Sequence, residues 1–202
     1  MRIEEFLSKV ASEPERTLME THWTSPPELL ARMKQPGGMR LTDFLAAPGR
    51  IPEQCECRYR HILGAPASPD AIAAWQRQHP SHPLPADLQA LVARINGIHL
   101  WADSETGWCY QGFAPIEKWD LARSTMYWGP TTDPSLLDDH YIALSYDEGH
   151  ASYIVLNIKS GKYYLMDVAG PDESCPIADN VEELLDYLWE RRMTPKASPP
   201  EE

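Results

Sequence analysis

In the segment 84–101, LPADLQALVARINGIHLW, the apolar residues Leu88, Leu91, Val92 and Ile95 fall at i, i+3, i+4 and i+7. That spacing places them on one buried face of a helix. Pro85 suits the first turn, where its missing N–H costs nothing, and Asp87 sits well against the positive helix end. Asn96-Gly97 then supplies the left-handed residue that stops a helix. Ile3, Phe6, Leu7 and Val10 predict a second amphipathic helix over 3–11. A third is expected over roughly 27–35, between Ser25 and Gly37-Gly38, and a short one in DAIAAWQRQHP with Ile72 and Trp75 inward. Near the C-terminal end Val181, Leu184, Leu185, Leu188 and Trp189 make one stripe. Asp179 or Asn180 is placed to cap that helix, and Arg191 and Arg192 complement its negative end.

Elsewhere the period drops to two. IPEQCECRYRHIL alternates weakly, as a short strand would, and GWCYQGFAPI (107–116) and HYIALSY (140–146) read as further strands. The clearest signal is SYIVLNIKSGKYYLMDV (152–168), where Ile154, Leu156 and Ile158 alternate with Tyr153, Val155 and Asn157 before a KSG turn. Gly161 allows that turn to close a hairpin. Helices first, then a run of strands, then a closing helix point to an α+β fold. The expected architecture is a mostly antiparallel sheet with helices packed on one side, preceded by a helical N-terminal extension. The GAPASP turn sets the organisation: an extension over 1–66, a domain over 67–193, and a tail over 194–202 too poor in apolar residues to stay ordered.

Charge divides the chain in a way the hydropathy pattern does not. Net charge is −12 over 202 residues; residues 1–97 hold 11 Lys/Arg against 11 Asp/Glu, whereas residues 98–193 hold 6 against 17. An acidic body is wrongly signed for gripping a nucleic acid backbone, so no nucleic acid partner is expected, but it would speed encounter with a basic protein. MRIEEFLSKVASEPER has no apolar h-region, and no stretch approaches a membrane span, so a cytoplasmic chain with no membrane partner is expected. Four cysteines, Cys55, Cys57, Cys109 and Cys175, are too few for a disulfide scaffold and fit reduced thiols.

Catalytic motifs are absent: there is no GxSxG, HExxH, CxxC or phosphate-binding Gly loop. No catalytic residue, cofactor or metal is therefore assigned. Cys55-x-Cys57 with His61 is too tightly spaced for a structural zinc site. LLDDHY and YDEGH place carboxylates beside His140 and His150, which leaves a small hydrolase as a third reading. More suggestive is the mixture of aromatic and acidic residues after residue 98. Tryptophan and tyrosine anchor interfaces, and acids around them suit a basic partner. The candidate partner-binding residues are Trp101, Asp103, Glu105, Tyr127, Trp128, Asp133, Asp138, Asp139, Asp147 and Glu148.

Taken in order, these pieces resemble a known family. Leu84, Pro85, Asp87, Leu88, Leu91, Asn96 and Gly97 are similar to the opening signature of the SUKH superfamily, the Smi/Knr-like domain. FAPIEKW resembles its strand and proline turn, YIALSYDEGHASYIVLNIKSGKYYLMD its acidic-glycine turn and hairpin, and IADNVEELLDYLWE its closing helix. The likeness spans roughly 70–193. Ile98 and His99 stand where members often carry another glycine, and residues 1–66 match none of its pattern. The resemblance implies a non-enzymatic binding protein of the bacterial toxin-immunity type, neutralising the cognate toxin of a polymorphic or secretion-linked system by stoichiometric binding. A nuclease suits an acidic inhibitor, although a peptidase, deaminase or NAD-consuming toxin fits the same logic. The alternative is a cytoplasmic regulatory or scaffold module of the Smi/Knr type with no toxin partner.

Overall fold

A computed structural model describes residues 1–24, 51–104, 109–125, 139–145, 153–167, 170–171 and 175–191. In chain order these form α1 (Ile3–Ser12), β1 (Arg16–Thr24), β2 (Ile51–Leu63), α2 (Pro69–Gln78), α3 (Ala86–Val92), β3 (Ile98–Asp103) and β4 (Cys109–Phe113). A 3-10 turn (Ile116–Lys118) leads to β5 (Asp120–Leu121), α4 (Ala122–Thr125), β6 (Tyr141–Ala143), β7 (Tyr153–Asn157), β8 (Lys162–Asp167), β9 (Gly170–Pro171) and α5 (Val181–Arg191). The helix expected over 27–35 and the tail 194–202 lie outside the described residues.

The strands make two antiparallel sheets, ordered β1-β2-β3-β4 and β5-β6-β7-β8-β9. The Ala114 N–H donates to the Leu144 carbonyl at 2.8 Å, so the end of one sheet runs into the other. Phe6 and Val10 of α1, Trp75 of α2, Leu88, Leu91 and Val92 of α3, and Val181, Leu184, Leu185 and Leu188 of α5 pack on a common core. The sheets supply Ile98, Leu100, Phe113, Ile142, Leu144, Ile154, Leu156 and Tyr163 to it. Helices thus cover one face of both sheets, the α+β arrangement that the periodicity implies. Burying each large apolar side chain contributes about 1.5–3 kcal/mol, so this shared core holds the two sheets together.

Residues 16–24 gave no strand signal, yet β1 pairs with β2 without interruption from Arg16↔Tyr59 to Thr24↔Ile51. β2 in turn pairs with β3, so the extension and the following domain share a sheet. Between them the register slips: Arg60 faces Ala102 while Ile62 faces His99, so Leu100 and Trp101 together oppose His61. That is a β-bulge, and Trp101 adopts φ 52 in it, a left-handed conformation rare for a bulky residue.

The helix within 84–101 ends sooner than its apolar pattern suggests. α3 stops at Val92, and the Arg94 and Ile95 N–H groups both turn back to the Leu91 carbonyl. Gly97, at φ 107, makes the reversal. Asn96 is 7% exposed and reaches across the fold. Its Oδ1 accepts from the Ile116 N–H at 2.7 Å, and its Nδ2 donates to Glu117 Oε2 at 2.8 Å. The stop signal is therefore also a tie between the end of α3 and the 3-10 turn.

Candidate partner-binding surface

Of the ten candidate residues, three fall among those described. Trp101 is 1% exposed and Asp103 7%. In this conformation both side chains lie within the fold, beside Cys57 and Tyr59 on the face of the first sheet that β2 and β3 share. Asp139 is exposed and pairs with Arg123. Glu105, Tyr127, Trp128, Asp133, Asp138, Asp147 and Glu148 lie outside the described residues. The structure thus brings Trp101 and Asp103 together and leaves Asp139 elsewhere, before β6.

Several other acids of the second half are committed to the fold. Glu117 accepts from Asn96, and Asp120 Oδ1 accepts from the Leu121 N–H at 2.7 Å. Asp179 Oδ1 lies 2.9 Å from Lys162 Nζ and raises the pKa of that exposed ammonium, chiefly through their hydrogen bond. Glu183 Oε2 accepts from the Asp179 N–H at 2.9 Å while Asn180 Oδ1 accepts from the Glu183 N–H at 3.0 Å, a reciprocal cap on α5. Asp87 serves two helices: its Oδ1 accepts from the Leu88 N–H at 2.9 Å and its Oδ2 from the Val181 N–H at 3.0 Å. Asp186 Oδ2 accepts from the Met1 ammonium at 2.6 Å.

Among the described residues of this half, carboxylates without such a role are found on α5. Glu182 and Glu190 are exposed, and neither carboxylate has an ion pair among the described residues. With the half-buried Asp186 they stand at i, i+4 and i+8, one stripe on the side of α5 away from Leu184, Leu185 and Leu188. The spacing of 182, 186 and 190 is visible in the sequence, but the pairings that occupy the other acids are not. Beside the first turn of this stripe is a cleft of about 490 Å³ where the beginnings of α1, α3 and α5 converge. Ile3, Ala90 and Val181 give it apolar walls, and Arg2, Glu4, Glu5, Asp87 and Glu182 line the rest. Glu4 pairs with Arg94, and Glu5 with Lys9 at 3.1 Å, both through exposed side chains that water screens, so each pair contributes little.

Of the residues whose type could serve catalysis or metal binding, those described take part in the fold. His140 is buried with its ring 4.5 Å from that of Tyr141, and His150 lies outside the described residues. His61 uses both ring nitrogens, on Trp101 and Glu13, while Cys55 Sγ contacts the Glu53 carbonyl oxygen at 3.8 Å. Among the described residues no group of three or more His, Cys, Asp or Glu is arranged to hold a metal ion. No helix among them is long and apolar enough to cross a membrane.

No curated protein matches the chain at a significant level. The family model described as the SMI1 / KNR4 family (SUKH-1) matches residues 66–187, more than half of the 202, from the turn after β2 into α5. The protein belongs to the SMI1 / KNR4 family, SUKH-1.

Proposed function

We propose that this protein is an immunity protein that neutralises a cognate bacterial toxin by stoichiometric binding in the cytoplasm, without catalysis of its own. Membership of the SUKH-1 family over residues 66–187 is the observation that carries this reading. Two features support it. The segment 98–193 carries 17 acidic against 6 basic residues. Within it, the uncommitted carboxylates Glu182 and Glu190 lie on one exposed helix face. Such a surface favours a basic target, and a nuclease, whose substrate groove is basic, is the class that fits it. Glu105, Tyr127, Trp128, Asp133, Asp138, Asp147 and Glu148 remain proposed contacts, together with Asp139.

Co-expression with the protein encoded beside this gene tests the reading. Relief of growth arrest and a stable complex of fixed stoichiometry are expected; a toxic neighbour that arrests growth unrelieved and does not bind would overturn it. Within a complex, Glu182→Lys with Glu190→Lys should slow association several-fold at about 20 mM salt and much less at about 500 mM. An association rate indifferent to salt in both variant and wild type would remove α5 from the interface.

A further inference from the structure

The proton position on His61 follows from its partners. Nδ1 lies 3.1 Å from the Trp101 backbone nitrogen, and a backbone N–H only donates, so Nδ1 accepts and carries no proton. Nε2 lies 2.9 Å from Glu13 Oε2 and holds the single ring proton, which it donates. The arrangement therefore needs neutral imidazole in one tautomer, because imidazolium would set an Nδ1–H against the Trp101 N–H. The side chain is 2% exposed, and its ring centre is 4.3 Å from that of Trp101 and 6.2 Å from that of Trp189.

Five elements meet at this ring and its neighbour Trp101. Glu13 follows α1, Arg16 opens β1 with its guanidinium 4.8 Å over the Trp101 ring, His61 is on β2, Trp101 on β3 and Trp189 on α5. The bond it accepts holds a bulged residue at φ 52, a sparsely populated conformation that persists only where its surroundings over-determine it. A single group thus fixes both a strained backbone and the junction of the extension with the sheet.

We propose that His61 is a proton-controlled latch: the neutral ring holds the Leu100–Trp101 bulge and ties the α1–β1 junction to it, and protonation releases the Trp101 N–H so that the bulge relaxes. Glu13, from the turn after α1, favours the charged ring. Arg16 on β1, and Lys9 on α1 with its ammonium 6.0 Å from the Trp189 ring, oppose it. Glu20 of β1, bonded to the Tyr59 hydroxyl of β2 at 2.7 Å, Asp103 of β3 and the Cys55 and Cys57 thiols of β2 are the further charged or titratable groups on this face. Protonation strengthens pairing with Glu13 and abolishes the bond from Trp101. The charged ring and the Trp101 bond cannot coexist, so by linkage a falling pH opens the latch at the bulge.

The test is an NMR titration of the full chain from about pH 7.5 to about pH 5, the range in which histidines change charge. At the upper end, long-range imidazole spectra should show His61 protonated at Nε2 only. As its ring titrates, exchange of the Trp101 amide, corrected for the intrinsic effect of pH, should rise about five- to tenfold, the loss of one hydrogen bond. The Ala114 amide, bonded to the Leu144 carbonyl at 2.8 Å, should keep its protection throughout. His61→Phe should leave the Trp101 amide equally unprotected at every pH. A proton on Nδ1 at neutral pH, Trp101 protection that does not follow the ring, or a ring that stays neutral until the protein unfolds overturns the latch. Should His61→Phe fail to fold, the wild-type titration decides alone.

Discussion

Replacing Asn96 with Ala separates a helix stop from a tertiary tie. A stop signal at this position is worth a few tenths of a kcal/mol, because Gly97 beside it makes the reversal at φ 107. The structure demands more. Asn96 is 7% exposed, and its Oδ1 is the acceptor for the buried Ile116 N–H at 2.7 Å. Truncation leaves that donor without a partner, at about 1–3 kcal/mol. It also removes the bond to Glu117 Oε2 at 2.8 Å, a charge-assisted contact on a part-buried edge worth about 1 kcal/mol. The sum is about 2–4 kcal/mol, or roughly 4–16 °C in Tm for a domain of this size. Urea unfolding followed by tryptophan fluorescence and far-ultraviolet circular dichroism measures it. Glu117→Gln keeps an acceptor for Asn96 and should cost less than about 1 kcal/mol. Asn96→Asp keeps the acceptor for Ile116 but faces a carboxylate, so its deficit should shrink as pH falls toward about 4 and one of the two carboxylates takes up a proton. An Asn96→Ala loss under about 0.5 kcal/mol, or a Glu117→Gln loss equal to it, would refute the reasoning.

Three further substitutions probe the core and the backbone. The Tyr163 hydroxyl is buried with no hydrogen-bond partner among the described residues, so Tyr163→Phe should stabilise by about 1 kcal/mol at neutral pH. Burial first, and the Asp87 charge second, push that hydroxyl above the ordinary tyrosine range. The raised native value means that stability is present below the unfolded value of about 10 and is lost as pH climbs above it. The Phe variant should therefore show a flatter alkaline limb in urea midpoints, and an unchanged limb would count against this account. Gly64→Ala places a Cβ 1.9 Å from the Asn96 carbonyl oxygen and should cost more than about 3 kcal/mol, whereas Gly161→Ala, at φ 72 in open space, should cost about 1 kcal/mol. Equal losses in calorimetry would show that the backbone contact at Gly64 gives way easily.

Elements whose partners are close in sequence were legible. The β7–β8 hairpin was readable because Gly161 closes it at φ 72 and Asn157 Oδ1 accepts from the Lys159 N–H at 3.0 Å, all within one turn. α5 was readable because its core stripe, cap and charges lie within a dozen residues. β1 was not, since its partner in β2 lies up to 43 residues away at Arg16↔Tyr59 and the charged Arg16 and Glu20 flank Leu18 on one face. The role of Asn96 was equally hidden, because Ile116 and Glu117 are 20 and 21 residues distant. The acidic excess was visible as a sum. Which carboxylates are free depends on caps and pairs such as Asp87 with Val181, 94 residues away, that no local pattern encodes.

The shared sheet bears on how this protein can be divided or fused. The Gly64 N–H donates to the Gly97 carbonyl at 2.8 Å, with the two backbones too close for a side chain between them. A fragment starting at residue 66 would lose β2 and turn the flank of β3 into a naked edge, open to pairing with any extended chain. Limited proteolysis is then expected to spare the join at 63–66 in the native state. For the same reason, a tag, tether or second module belongs elsewhere. What precedes the family domain here is woven into it, so inheritance or engineering must move the two as one piece.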